Sequence, residues 1–159
     1  METIMNEQDN ISLVKRCYDS FAKGDIQQLM SVFADDIDWE LPAIEDVPIS
    51  GKRHGRNQVA EFFKSLDDTQ SVQLFEPREF IAQGDKVVAL GHYAWTVKST
   101  GTQFESDWTH IFTIRNGKVV NFREFMDSHI AEAAYRSPQA ADMARGAATQ
   151  AEKGQPTRH

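Results

Sequence analysis

Three side chains able to do acid–base or anion-binding chemistry, His110, Arg123 and Asp127, stand among aromatics in the stretch DWTHIFTIRNGKVVNFREFMD, residues 107–127. A histidine can take or give a proton near neutral pH, and a carboxylate can serve as acid or base. An arginine can hold a carbonyl, a carboxylate or a developing oxyanion. Spacing decides whether they meet. Asn116-Gly117, flanked by alternating apolar residues, predicts a hairpin closed by a two-residue type I′ turn. With those two as loop residues, Arg115 faces Lys118, Phe112 faces Asn121, His110 faces Arg123, Trp108 faces Phe125 and Ser106 faces Asp127.

Side chains alternate across a strand. One face is therefore expected to carry Trp108, His110, Phe112, Asn121, Arg123, Phe125 and Asp127. The other carries Asp107, Thr109, Ile111, Thr113, Val120, Phe122, Glu124 and Met126. Ionisable groups interleaved with aromatics describe either a polar cluster satisfied inside a core or a pocket with apolar walls and a few convergent polar groups, and burial without purpose is costly. His110 and Arg123 would lie roughly 5 Å apart at Cβ, whereas Arg123 and Asp127 would lie roughly 13 Å apart along the strand. No His–Asp dyad follows, and the Trp108 indole is the expected partner of Asp127. A cation beside His110 would favour a neutral imidazole. This assigns proton transfer to Asp127 and His110, anion binding to Arg123, and the pocket wall to Tyr18, Trp39, Trp108, Phe112, Asn121 and Phe125. His110 and His129 have no third partner at metal-ligand spacing, so no metal is expected. The absence of a glycine-rich phosphate loop indicates no nucleotide cofactor.

The elements that must position these residues are legible from periodicity. Asn10 is expected to cap a helix through Lys23, with Ile11, Val14, Cys17, Tyr18 and Phe21 on one face and Gly24 as a left-handed stop. A short helix follows Asp25, with Ile26, Leu29, Met30 and Phe33 at helical spacing. Ile37–Leu41 reads as a strand ended by Pro42, with Trp39 inward and Asp38 and Glu40 in solvent. Residues 43–55 read as a loop, with His54 exposed. A third helix, capped by Asn57, turns Val59, Phe62, Phe63 and Leu66 inward. Four strands follow, about 72–82, 86–98, 103–115 and 118–127, and Ser128–Arg136 suits a short helix. Helices followed by a meander predict an α+β domain over 1–136. Residues 137–159, rich in Ala and Gln, are expected to form a weakly docked or disordered tail.

The chain's 159 residues suit one domain with a self-sufficient core. Its formal net charge of −7 argues against nucleic acid or anionic lipid as partner. No apolar run approaches the roughly 18 residues of a membrane span. The polar start METIMNEQDN lacks the layout of a signal peptide, and the single cysteine excludes an intrachain disulfide. A cytoplasmic location is expected.

The segments SFAKGD (20–25), LMSVFADDIDWELP (29–42), GRNQVAEFF (55–63), FIAQGDKVVALG (80–91) and WTHIFTIRNGKVVNFREFMD (108–127) occur in an order that resembles the nuclear transport factor 2-like superfamily. Within it they look most like the SnoaL-like, ketosteroid isomerase-related branch. The resemblance implies a cone-shaped, cystatin-like α+β barrel, a curved antiparallel sheet with three N-terminal helices on its concave face. It also implies a small-molecule pocket and a homodimer formed through the sheet. An apolar outer face at Thr109, Ile111, Thr113, Val120, Phe122 and Met126 would suit that dimer. The isomerase's three catalytic positions fall on Leu41, Cys17 and near Thr109, so steroid isomerisation itself is not expected. Asp127 closes the last strand, where cyclases and epoxide hydrolases of this fold carry an important Asp. The expected function is proton-transfer chemistry (isomerisation, cyclisation, dehydration or hydrolysis) on a mostly apolar organic molecule, or else ligand binding without catalysis.

Overall fold

The computed structural model describes residues 6–136, and the tail expected over 137–159 lies outside them. Helix α1 spans Glu7–Ala22 and starts earlier than periodicity suggests. Asn6 accepts the Asp9 N–H at 2.8 Å, while the Asp9 carboxylate accepts the Asn6 N–H. This is a reciprocal capping box. Asn10, expected as the cap, is instead buried in the helix. Gly24 takes the left-handed conformation, with φ +73, that ends the element. Helix α2 (Ile26–Ser31) is capped by Asp25. Strand β1 (Phe33–Leu41) stops before Pro42, and a short strand β2 (Gly51–His54) lies within the region expected to be loop. Helix α3 (Gly55–Thr69) begins after His54, so Asn57 lies inside it rather than at its cap.

The long strands β3 (Gln70–Gln83), β4 (Lys86–Val97), β5 (Thr102–Arg115) and β6 (Lys118–Met126) are followed by α4 (Ser128–Arg136). They form one open six-stranded sheet in the order β2-β1-β6-β5-β4-β3. The architecture is α+β, as expected, with one correction: β1 pairs with β6 in parallel, so the sheet is mixed rather than wholly antiparallel. Helices α1 and α3 pack on the inner face, and α4 packs against β5. The buried core includes Val14, Cys17, Phe33, Ile37, Trp39, Phe62, Phe63, Tyr93, Trp95, Phe104, Trp108, Phe112 and Phe122.

The decisive detail is in the last hairpin. Asn116 and Gly117 both have positive φ, so the expected turn forms. Arg115 faces Lys118 across it. Ile114 then faces Val119, but Thr113 faces Asn121, leaving Val120 as an extra residue on β6. This bulge inverts every β6 side chain beyond it relative to an uninterrupted ladder. His110 therefore faces Glu124, not Arg123, and Trp108 faces Met126, not Phe125. The hydrophobic effect favours this outcome. Phe122 is buried and Met126 half-buried, while Arg123 reaches water. The parallel pairing with β1 is irregular at the same level, between Phe33 and Asp38.

Candidate active site

A cavity of about 100 Å³ lies between the helices and the sheet. One water needs only roughly 15 Å³ measured in this way, so there is room for an organic group. The wall is overwhelmingly apolar. Phe21, Phe33, Trp39, Phe62, Phe63, Phe75, Trp95, Phe104, Phe112 and Phe122 contribute rings, and Leu41 and Cys17 contribute small apolar surfaces. Burial pushes the Cys17 thiol pKa up to about 12, so it is a neutral wall residue rather than a nucleophile.

Into this wall the inner sheet face and α1 place a hydrogen-bonded chain. The Tyr18 hydroxyl lies 2.7 Å from His110 Nδ1, and His110 Nε2 lies 2.8 Å from Glu124 Oε2. All three residues line the cavity, and the His110 and Glu124 side chains are only 5% and 10% exposed. An ionised Glu124 accepts the Nε2–H, which leaves Nδ1 to accept the Tyr18 hydroxyl. The imidazole is stacked on Trp108, with ring centroids 4.0 Å apart, and meets Phe122 edge-on at 4.8 Å. Burial first, then repulsion from the Cys17 sulfur once it ionises and from the Glu124 carboxylate, raise the Tyr18 pKa well above the ordinary phenol value, because each disfavours a phenolate. Tyr93 behaves alike, through burial, then the Glu124 charge and a hydrogen bond to that carboxylate.

Trp108 lies flat across the sheet because Gly91, its partner on β4, has no side chain. A Cβ on Gly91 would sit 2.3 Å from Trp108 Cζ2 and 2.4 Å from the Glu76 carbonyl oxygen.

Among the residues singled out from sequence, Tyr18, Trp39, His110 and Phe112 line the cavity, and Trp108 is buried against His110. Trp39 stacks on Phe122, with centroids 3.9 Å apart. Arg123, Phe125 and Asn121 stand on the outer face instead. Arg123 lies 4.9 Å from the exposed Phe125 ring and 3.5 Å from Glu40 Oε1. Asp127 is exposed beyond the end of β6, where its carboxylate accepts the Ile130 N–H at 3.3 Å and its own N–H donates to Ser106 Oγ. Trp108 Nε1 has no partner among the described residues, so it does not orient Asp127. Asp38 points outward, as expected, and pairs with exposed His54 at 2.7 Å.

Glu124, Tyr93, Phe122, Gln70 and Tyr135 are lining residues that sequence reasoning missed. A usable signal for the first and third was present: Val120, Phe122, Glu124 and Met126 are together more apolar than Asn121, Arg123, Phe125 and Asp127. A bulge in Lys118-Val119-Val120 reconciles that difference with the turn. Among the described residues, no group of three or more His, Cys, Asp or Glu is placed to hold a metal ion. No helix there is long and apolar enough to cross a membrane.

Residues 14–122 match the model of the SnoaL-like domain. The chain belongs to the SnoaL-like family. Solved structures agree. An NTF2-like protein from Burkholderia xenovorans LB400 is 31% identical over 89% of this chain and 98% of its own, with a TM-score of 0.72. TerC, crystallised with polyporic acid, is 27% identical over 80% of this chain and 98% of its own, also at 0.72. A Mesorhizobium loti protein provisionally assigned as a SnoaL-like polyketide cyclase shares the fold at 21% identity, over 72% of this chain and 97% of its own, with a TM-score of 0.61. No curated protein matches the sequence. The fold family binds small-molecule ligands.

Proposed function

We propose that this SnoaL-like chain is an enzyme that moves protons on a mostly apolar organic substrate held in the cavity. Isomerisation, cyclisation, dehydration and water addition are the reaction classes open to it. The observation that carries the reading is the Tyr18–His110–Glu124 chain, three groups at hydrogen-bond distance inside an apolar wall. A proton leaving the substrate passes to the Tyr18 oxygen as the Tyr18 proton moves to His110 Nδ1. Glu124 holds the resulting imidazolium, and the Trp108 face lies against it. The raised Tyr18 pKa keeps the phenol neutral between transfers, with its proton on the bond to His110 and its oxygen free to accept one from the substrate. His110 is thus retained from the sequence reading as a proton carrier. Arg123 and Asp127, which face away from the cavity, are replaced by Tyr18 and Glu124. The crystallisation of TerC with polyporic acid supports an organic ligand for a protein of this fold.

The same chain of hydrogen bonds is satisfied internally, which favours a second reading: a ligand-binding protein whose polar groups only complete the core. Hydrogen–deuterium exchange separates the two. Apolar cyclic ketones that bind should exchange their α-protons with D₂O in the presence of the protein and lose that exchange in His110→Gln. Binding without exchange above the solvent rate would leave the binding reading in place.

The assembly belonging to this proposal is a homodimer through the outer sheet face. There Ile81, Val88, Leu90, Ile111 and Phe125 form a partly exposed apolar band across four strands, the kind of surface that association covers. Phe122 and Met126, expected on that face, point inward. The single cysteine suits a reducing compartment, and the cytoplasm is the simplest.

A further inference from the structure

Apart from the Trp39 indole N–H, which has no partner among the described residues, the polar groups on the cavity wall gather at two places. Ser50 is committed to the carbonyls of Ile44 and Val47, at 2.9 and 2.8 Å. One group is the chain described above. The other is Gln70 and Tyr135, which also line the cavity. Along the inner face of β4, Ala89 stands opposite His110 and Val97 stands opposite Gln70, with Gly91, Tyr93 and Trp95 between. The two groups therefore occupy opposite ends of an aromatic wall.

Gln70 is held firmly. It follows the last turn of α3 and opens β3, and it is 4% exposed. The Tyr135 hydroxyl donates to Gln70 Oε1 and lies 3.4 Å from Thr69 Oγ1. The Thr69 hydroxyl is committed to the Ser65 carbonyl at 2.7 Å, and the Thr69 carbonyl accepts the Lys98 N–H at 2.9 Å. Tyr135 thus fixes the carboxamide by its oxygen, while the amide nitrogen has no partner among the described residues. Because Gln70 lines the cavity, its amide N–H₂ can donate to a ligand acceptor there, and an occupant that lacks an acceptor forfeits that hydrogen bond.

We infer that Gln70, held by Tyr135, anchors the far end of the substrate. The cavity then takes an elongated, mostly aromatic molecule with a hydroxyl or enolisable carbonyl at the Tyr18 end and a second acceptor, such as a ketone, at the Gln70 end. This rests on reading Tyr18–His110–Glu124 as the reacting end. A site built to hydrogen-bond one group discriminates against an analogue that lacks it, because its own polar group is left unpaired.

Two probes of similar length test the inference: 4-acetyl-4′-hydroxybiphenyl, and 4-ethyl-4′-hydroxybiphenyl, which lacks the carbonyl. Quenching of the Trp39 and Trp95 fluorescence reports their binding. The wild-type protein should hold the acetyl compound about tenfold more tightly, a modest fraction of a typical binding energy. Gln70→Leu should bring the two compounds to parity while keeping the ethyl compound bound, which also shows that the variant folds; Gln70→Met serves if it does not. Tyr135→Phe should narrow the preference, and His110→Gln should weaken both compounds alike. A preference that survives Gln70→Leu, equal wild-type affinities, or binding of neither compound overturns the inference. Unchanged affinities in His110→Gln would instead remove the reacting end, and the inference with it.

Discussion

His110 and Glu124 face each other across β5 and β6 with Nε2 and Oε2 2.8 Å apart, and an extra residue, Val120, is what brings them together. Without that bulge Glu124 would point to solvent and Arg123 would enter the cavity. A carboxylate in place of a guanidinium puts a hydrogen-bond acceptor rather than a second donor opposite His110 Nε2, which is what ties the ring to the sheet.

Glu124 and Asp127 are two carboxylates near the end of one strand with separable roles. Glu124→Gln keeps the side chain's shape but removes the charge facing the imidazolium. Turnover should fall by about 10²-fold or more, the usual scale of acid–base assistance. Asp127→Asn should leave turnover unchanged and stability within about 0.5 kcal/mol, because Asn caps a helix about as well as Asp. Single-turnover kinetics and denaturant midpoints of both variants check this, and equal losses of activity would refute the division of roles.

Gly91→Ala should be among the most damaging single substitutions. The new methyl meets the Trp108 ring and the Glu76 backbone at distances no relaxed structure keeps. Displacing a stacked indole from a packed core costs about 1–3 kcal/mol or more. Urea titration should show a lowered midpoint with an unchanged slope.

On the outer face His92 lies between Asp107 and Glu105, at 2.8 and 3.0 Å. The hydrogen bond to Asp107 leads the effects that raise its pKa, above burial, which opposes it. The folded state therefore binds the proton more tightly than the unfolded chain. The stability this adds is fully present below the unfolded value of about 6.5 and is lost as pH rises through the folded value. Wild-type protein should gain more stability than His92→Asn on moving from about pH 8 to about pH 6. Denaturant midpoints at the two pH values measure the difference, and parallel shifts in both proteins would contradict it.

Phe125, 45% exposed, is the large ring at the β6 end of the proposed dimer face. Phe125→Asp should convert a dimer to a monomer at tens of micromolar with little loss of fold, since no core residue is touched. Light scattering with circular dichroism tests both halves. A monomeric wild-type protein would end the dimer proposal.

How much of this was legible in the sequence varies by element, for identifiable reasons. The amphipathic spacing of Val59, Phe62, Phe63 and Leu66 determined α3, and Asn116-Gly117 determined the last turn, because both signals are local. The alternation of Ile37, Trp39 and Leu41 likewise put Trp39 inside. A cap one turn upstream, at Asn6 rather than Asn10, escaped because both residues are able caps and tertiary burial of Asn10 chose between them. The parallel pairing of β1 with β6 joins segments far apart in the chain and leaves no local mark. The site depended most on what is not local. His110, Tyr18 and Phe112 were readable as pocket residues, but their partner was not. One unpaired residue in β6 exchanges the faces of Arg123 and Glu124, and whether a bulge forms is decided by packing Phe122 against Trp39 on a neighbouring strand. The sequence by itself determined the family, the longer helices and strands, and the histidine. Only the tertiary structure decided which charged group meets it, because side-chain facing along a strand follows the pairing register, and register is set by contacts between strands.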